Sequence, residues 1–165
     1  MGQFGLWITQ IRAPEPGIFL SMSFEQLPTT WPDQPLTDPT FAANVVDLMV
    51  SIGDRHLGTL TVVLCHPDNR YRSTLTMKLP RFPAHTPAEL CRAVLEPIIP
   101  SLQTSPDAPV ILALGRRPYP PSASHTDMEC AQVATALCED AGVRLLGFYV
   151  ATKDGVHQPA IAALT

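Results

Sequence analysis

The chain has 165 residues, enough for one domain with a sizeable apolar core. Hydrophobic residues make up 45% and charged residues only 16%, which excludes a disordered polyelectrolyte. A net charge of -4, with Lys and Arg scattered along the chain, offers no long-range attraction to nucleic acid or to an anionic membrane.

No run approaches the roughly 18 apolar residues of a membrane span. The start, MGQFGLWITQI, has no basic segment and no cleavage site, so it does not read as a signal peptide. A cytoplasmic protein is the expectation. The 18 prolines predict stiff loops and short helices. Cys65, Cys91, Cys130 and Cys138 form no C-x-x-C pair and sit inside apolar patterns, so buried, reduced thiols are expected.

Residues 1–38 are expected to form an N-terminal arm, and residues 39–165 the main domain. In the arm, Phe4–Ile11 and Ile18–Phe24 read as strands around Ala13-Pro14-Glu15-Pro16-Gly17, a β-hairpin. Trp7 and Trp31, with Phe4, Ile8, Phe19 and Leu20, give the arm an apolar surface. It packs either on its own sheet or against another chain. Prolines 28, 32, 35 and 39 make residues 28–39 a loop.

Asp38 is a good cap for a first helix, with Pro39 at its first position. Phe41, Val45, Leu48, Met49 and Ile52 fall on one face, and Gly53 is the expected stop. The run from Thr59 to Cys65 is unbroken and apolar at its centre, which predicts a strand buried on both faces. His66–Arg70 is a turn. The return strand, Tyr71–Leu79, alternates: Tyr71, Ser73, Leu75, Met77 and Leu79 share one face, while Arg72, Thr74, Thr76 and Lys78 form an expected wet face.

Thr86-Pro87-Ala88-Glu89 is a capping box that opens a second helix, with Pro97 and Pro100 as stops. A polar loop over residues 103–107 leads to a strand over 109–114. In the third helix Ser124 and Thr126 compete as cap, and Gly142 is the expected terminator. An apolar strand over 143–151, a turn at Lys153-Asp154-Gly155 and a closing strand from Val156 complete the order. That order implies an α/β (α+β) domain, a mixed β-sheet flanked by three helices.

From Pro39 to Val156 this order and several local details resemble the JAB/MPN domain in its bacterial RadC-like form. The carriers are a strand ending in a short turn, Leu60–Arg70, and the stretch His85-Thr86-Pro87-Ala88-Glu89-Leu90-Cys91-Arg92-Ala93. A strand, a Pro-rich loop and Ser-x-x-Asp at Ser124 and Asp127 follow. The Gly-containing turn at Ala141-Gly142-Val143 comes last. An actinobacterial family of unassigned function shows similar strand–helix spacing. The JAB/MPN resemblance implies a three-layer, cytidine-deaminase-like fold.

The resemblance also implies a zinc site. Its ligands would be the two His of a His-x-His at the strand end and the Asp eleven residues after the second. A Glu near the hairpin would serve as general base. Three protein ligands leave a place for water, whose pKa zinc lowers toward roughly 7. This chain departs from that pattern. The two His positions carry Leu114 and Arg116, and no Glu lies between Glu25 and Glu89. Arg is permanently cationic and repels a metal.

Ser124 and Asp127 also read as an ordinary capping motif. A sharper reading pairs Arg116 with Asp127 in the vacated site. Cys65 and His66 are weak metal candidates beside Asp127, because adjacent strand residues point to opposite faces. His85, His125 and His157 lack ligand spacing. Ser122 and Ser124 lack a Gly-x-Ser-x-Gly context.

The expectation is a non-catalytic module with no resident cofactor, binding a protein partner or a second copy of itself. JAB/MPN domains do pair in active–inactive couples. The alternatives are an isopeptidase-like hydrolase with atypical ligands and a nucleic-acid-associated RadC-like protein.

Overall fold

The computed structural model describes residues 27–80, 85–118 and 125–159. The expected N-terminal hairpin, Trp7, Ser122 and Ser124 lie outside these residues.

Helix α1 spans Pro39–Met49. Asp38 caps it, its Oδ2 accepting the Phe41 amide at 2.9 Å. Gly53 does not end this helix, and Ile52 does not belong to its buried face. Ser51 and Asp54 form a second capping box that starts α2, Ile52–Leu57, with Gly53 inside it and Ile52 60% exposed.

Strand β1 (Thr59–Cys65) pairs antiparallel with β2 (Tyr71–Lys78). The expected wet face of β2 is a correction. Thr74 and Thr76 are buried, and only Arg72 and Lys78 of that set are exposed. The ladder slips beside Cys65, so Arg72 is an extra residue and Tyr71 swings to the threonine face. There the Tyr71 hydroxyl bonds Thr74 Oγ1 at 3.0 Å, and Thr61 Oγ1 bonds Thr76 Oγ1 at 3.3 Å. Polar threonines are thus buried because they satisfy one another.

Helix α3 (Pro87–Leu95) opens on the Thr86/Glu89 box. Pro97 and Pro100 do not stop the helical path. Each sits in the first turn of a new short piece, a 3-10 turn at Glu96–Ile98 and α4 at Ile99–Gln103, where a missing N–H costs nothing. Strand β3 is Val110–Gly115, α5 is Thr126–Ala141, β4 is Leu145–Thr152 and β5 is Gly155–His157. Gly142 ends α5 in the left-handed region at φ 73°, as expected of a C-terminal glycine.

The sheet has five strands in the order β2-β1-β3-β4-β5. β3 and β4 run parallel and the other neighbours antiparallel, so the fold is mixed α/β. Its two faces carry separate cores. Leu60, Val62, Leu112, Leu114, Phe148 and Val150 face α3, α4 and α5. Val63, Ile111, Ala113, Tyr149 and Ala151 face α1, together with Trp31 and Leu36. The Trp31 ring meets Tyr71 edge-on at 5.0 Å between centroids. Both faces of β1 and β3 are therefore dry, which explains their continuous apolar runs. Among the described residues no helix is long and apolar enough to cross a membrane.

All four cysteines are free and buried. Burial pushes the Cys65 thiol up to about 12 and that of Cys138 to about 11. The hydrogen bond with Cys130, and then burial, raise the Cys91 thiol well above its ordinary value. A raised thiol pKa favours the protonated, folded form. The resulting stability is complete below the unfolded value of 9.0 and is lost as pH climbs toward about 12. Stability measured by urea at constant temperature should therefore decline above pH 9, and native protein should resist iodoacetamide at pH 8. Fast alkylation of folded protein would contradict this packing.

Candidate functional site

The candidate site lies where β3 ends. The parallel neighbours β3 and β4 present their carboxyl ends together, the usual place for a site in such sheets. Gly115 closes β3 in a tight spot: an added Cβ would meet Thr59 Oγ1 at 2.9 Å, Val50 Cγ1 at 3.2 Å and the Arg55 Cα at 3.4 Å. The chain then turns out of the sheet, and the Arg116 amide still bonds the Ala151 carbonyl at 3.0 Å. That last bond aims the Arg116 side chain at the first turn of α5.

Arg116 and Asp127 meet there in a two-pronged pair. Nε donates to Oδ1 at 2.8 Å, and an Nη nitrogen donates to Oδ2. The other Nη donates to the Arg117 carbonyl at 2.8 Å. The two side chains are only 14% and 11% exposed. Such a fork-to-carboxylate contact is a strong, directional ion pair. Asp127 occupies the second position of α5, where the helix dipole also favours a negative charge. Thr126 is the first helical residue and not the cap. His125 holds the cap position without a side-chain bond.

His157, on β5, places Nε2 3.5 Å from Asp127 Oδ2 and is half exposed. Arg117 donates from Nε to the His56 carbonyl at 2.9 Å, tying the loop to α2. Behind this surface lies a buried cation. Arg55 donates to the Val50, Thr152 and Asp47 carbonyls and to Asp47 Oδ1, all at 2.9–3.0 Å. Arg55 and Asp47 side chains are 4% and 1% exposed. Sequence reasoning did not single out Arg55, Asp47 or the approach of His157. The one available signal was Asp47 itself, a charge inside the apolar run Val45-Val46-Asp47-Leu48-Met49.

The expected site residues therefore separate into three groups. Arg116 and Asp127 come together. Leu114 lies 1% exposed in the core that faces α3 to α5. Cys65 and His66 lie at the other end of the sheet, since Thr59 and not Cys65 is the β1 residue opposite Gly115. Cys65 and His66 border a shallow pocket of about 230 Å³ with Arg72 and Asp107. A thiol pushed up to about 12 is no nucleophile at neutral pH.

The donor set does not fit zinc. At the two positions that the resemblance would assign to histidine ligands stand a leucine side chain and a guanidinium, and that guanidinium holds both oxygens of Asp127. Among the described residues no three His, Cys, Asp or Glu side chains converge as metal ligands. A permanently protonated Arg also cannot accept a proton from water. What the arrangement does supply is a rigid clasp between the end of β3 and the start of α5. The chain matches no protein-family model, and no curated protein or solved structure is significantly similar to it.

Proposed function

We propose that the chain is a non-catalytic JAB/MPN-like, RadC-like domain that serves as a protein-interaction or self-association module. The observation that carries this reading is the Arg116–Asp127 pair. Its two residues lie at positions that the resemblance would assign to metal ligands, and they form a charge-neutral pair. The helix–sheet–helix layering and the five-stranded mixed sheet support the same reading. A domain that keeps a fold while replacing ligands by a self-satisfied pair retains surface and loses chemistry.

Elemental analysis tests this reading. Tag-free protein, purified reduced and without chelator, is expected to carry far less than one zinc per chain and to leave isopeptide substrates intact. Stoichiometric zinc, or hydrolysis abolished by chelator, would overturn the reading. Sedimentation over a range of concentrations then separates self-association from binding of a different protein.

A further inference from the structure

Strand β4 has one incomplete side. β3 pairs with it from Leu145 to Ala151, but β5 covers only Val150–Thr152. Among the described residues the stretch Leu145–Tyr149 has no partner strand on its outer side, an edge about 16 Å long beside which only Gln158 and Pro159 lie. Pro159, which lacks an N–H, follows β5 and does not continue the ladder.

This edge borders a groove. A cavity of about 420 Å³ lies between β4 and α5, walled by Leu146, Gly147 and Phe148 on one side and Thr135 and Glu139 on the other. Its volume suits a few residues of extended chain. Thr135 Oγ1 is buried in this wall and has no hydrogen-bond partner among the described residues. Thr135→Val removes that orphaned hydroxyl without changing shape, and thermal unfolding is expected to occur at higher temperature than in wild type; an unchanged or lower midpoint would count against the orphan.

The charge on the rim indicates what the groove accepts. The last turn of α5 carries Glu139 and Asp140 and no basic residue. Carboxylates at a helix C-terminus oppose the helix dipole, so this turn lacks the cation it favours. Glu139 makes no ion pair among the described residues. The nearby Arg144 guanidinium is bound to the Asp107 carbonyl and the Asn69 amide oxygen instead.

We infer that the α5–β4 groove binds an extended segment of a protein partner, added as a sixth strand, with apolar residues in the groove and a Lys or Arg against Glu139. Main-chain hydrogen bonds to the open edge supply affinity and the groove supplies selectivity, as in other strand-addition complexes. This inference rests on the protein-interaction reading and names its surface.

The test uses the full chain and a random library of peptides of about ten residues displayed on phage. Selection is expected to enrich apolar sequences carrying Lys or Arg. A selected peptide should slow amide exchange at Phe148, whose N–H group faces away from β3. Its binding should weaken about tenfold in Glu139→Lys, whose thermal midpoint does not fall below that of wild type. No enrichment, protection elsewhere, or affinity indifferent to Glu139→Lys would overturn the inference.

Two other occupants would overturn it as well. Edge amides protected without peptide in proportion to concentration would mean a second copy. Protection lost on truncation after Pro159 would mean residues 160–165. Zinc content is independent of all these outcomes. Stoichiometric zinc without loss of peptide binding would sink the non-catalytic reading alone, and metal-free protein that binds no peptide would sink the groove alone.

Discussion

Arg55→Ala is expected to lose about 3–5 kcal/mol of stability. Arg55 holds together three parts of the chain that are distant in the fold: the end of α1 through the Val50 and Asp47 carbonyls, its own helix α2, and the end of β4 through the Thr152 carbonyl. It also faces the Asp47 carboxylate in a site with almost no exposure. Truncation leaves three carbonyls without that donor and a buried carboxylate without that cation. Each such group costs about 1–3 kcal/mol once water is excluded. Urea unfolding with an unchanged slope and a lowered midpoint is the expected readout. A loss below about 1 kcal/mol would mean that water reaches this pair. Arg55→Lys should recover little of the stability, because an ammonium cannot span four acceptors in the plane of a guanidinium.

Arg116→Ala is expected to cost about 2–3 kcal/mol, less than Arg55→Ala because both partners keep slight contact with water. The informative comparison is the double-mutant cycle with Asp127→Ala. The two single losses should sum to more than the double loss by about 1–3 kcal/mol, since either change alone leaves an unpaired charge. An additive cycle would show that the pair contributes nothing as a unit. The phenotype should also localise. Amide exchange should quicken in the first turn of α5 and at the end of β3, while β1 and β2 stay protected. Should the Arg116→Ala protein be as stable as wild type, the clasp would not hold this end of the sheet, and the case for a filled, inactive site would weaken with it.

The two pairs differ in how visible they are in the sequence. Arg116 and Asp127 are eleven residues apart, and the resemblance to a metal-binding pattern brought both positions under scrutiny. Their contact still required the end of β3 and the start of α5 to meet. Arg55 and Asp47 lie eight residues apart across a helix break. A single long helix ending at Gly53 would place Arg55 outside it. The Ser51/Asp54 box turns the chain, and that turn carries Arg55 inward beneath β4. Capping signals close to apolar periodicity are easily absorbed into the preceding helix, which is why the break was missed.

The wet face expected on β2 failed for a related reason. Alternation of polar and apolar residues predicts one solvated face only when nothing covers it and the register is regular. Here the slip at Cys65 displaced Tyr71, and threonines can be buried when their hydroxyls meet. Helix α3 does end at Leu95, before Pro97, but Pro97 and Pro100 also open two new short pieces: proline stops a helix from inside and starts one readily.

By itself the sequence determined what is local. The caps at Asp38 and Thr86, the Gly142 terminator, the turns and the apolar runs of β1 and β3 depend on interactions within a few residues. That Leu114 and Arg116 stand where the resemblance would put histidines is equally local, because it follows from side-chain identity alone. The tertiary structure alone decided the strand order, the buried Arg55–Asp47 pair and the approach of His157 to Asp127. Among the described residues it also left Leu145–Tyr149 of β4 without a second partner strand beside α5. These depend on which segments meet across the sheet, and long-range partners are chosen by the summed packing of two cores, which no short window of sequence contains.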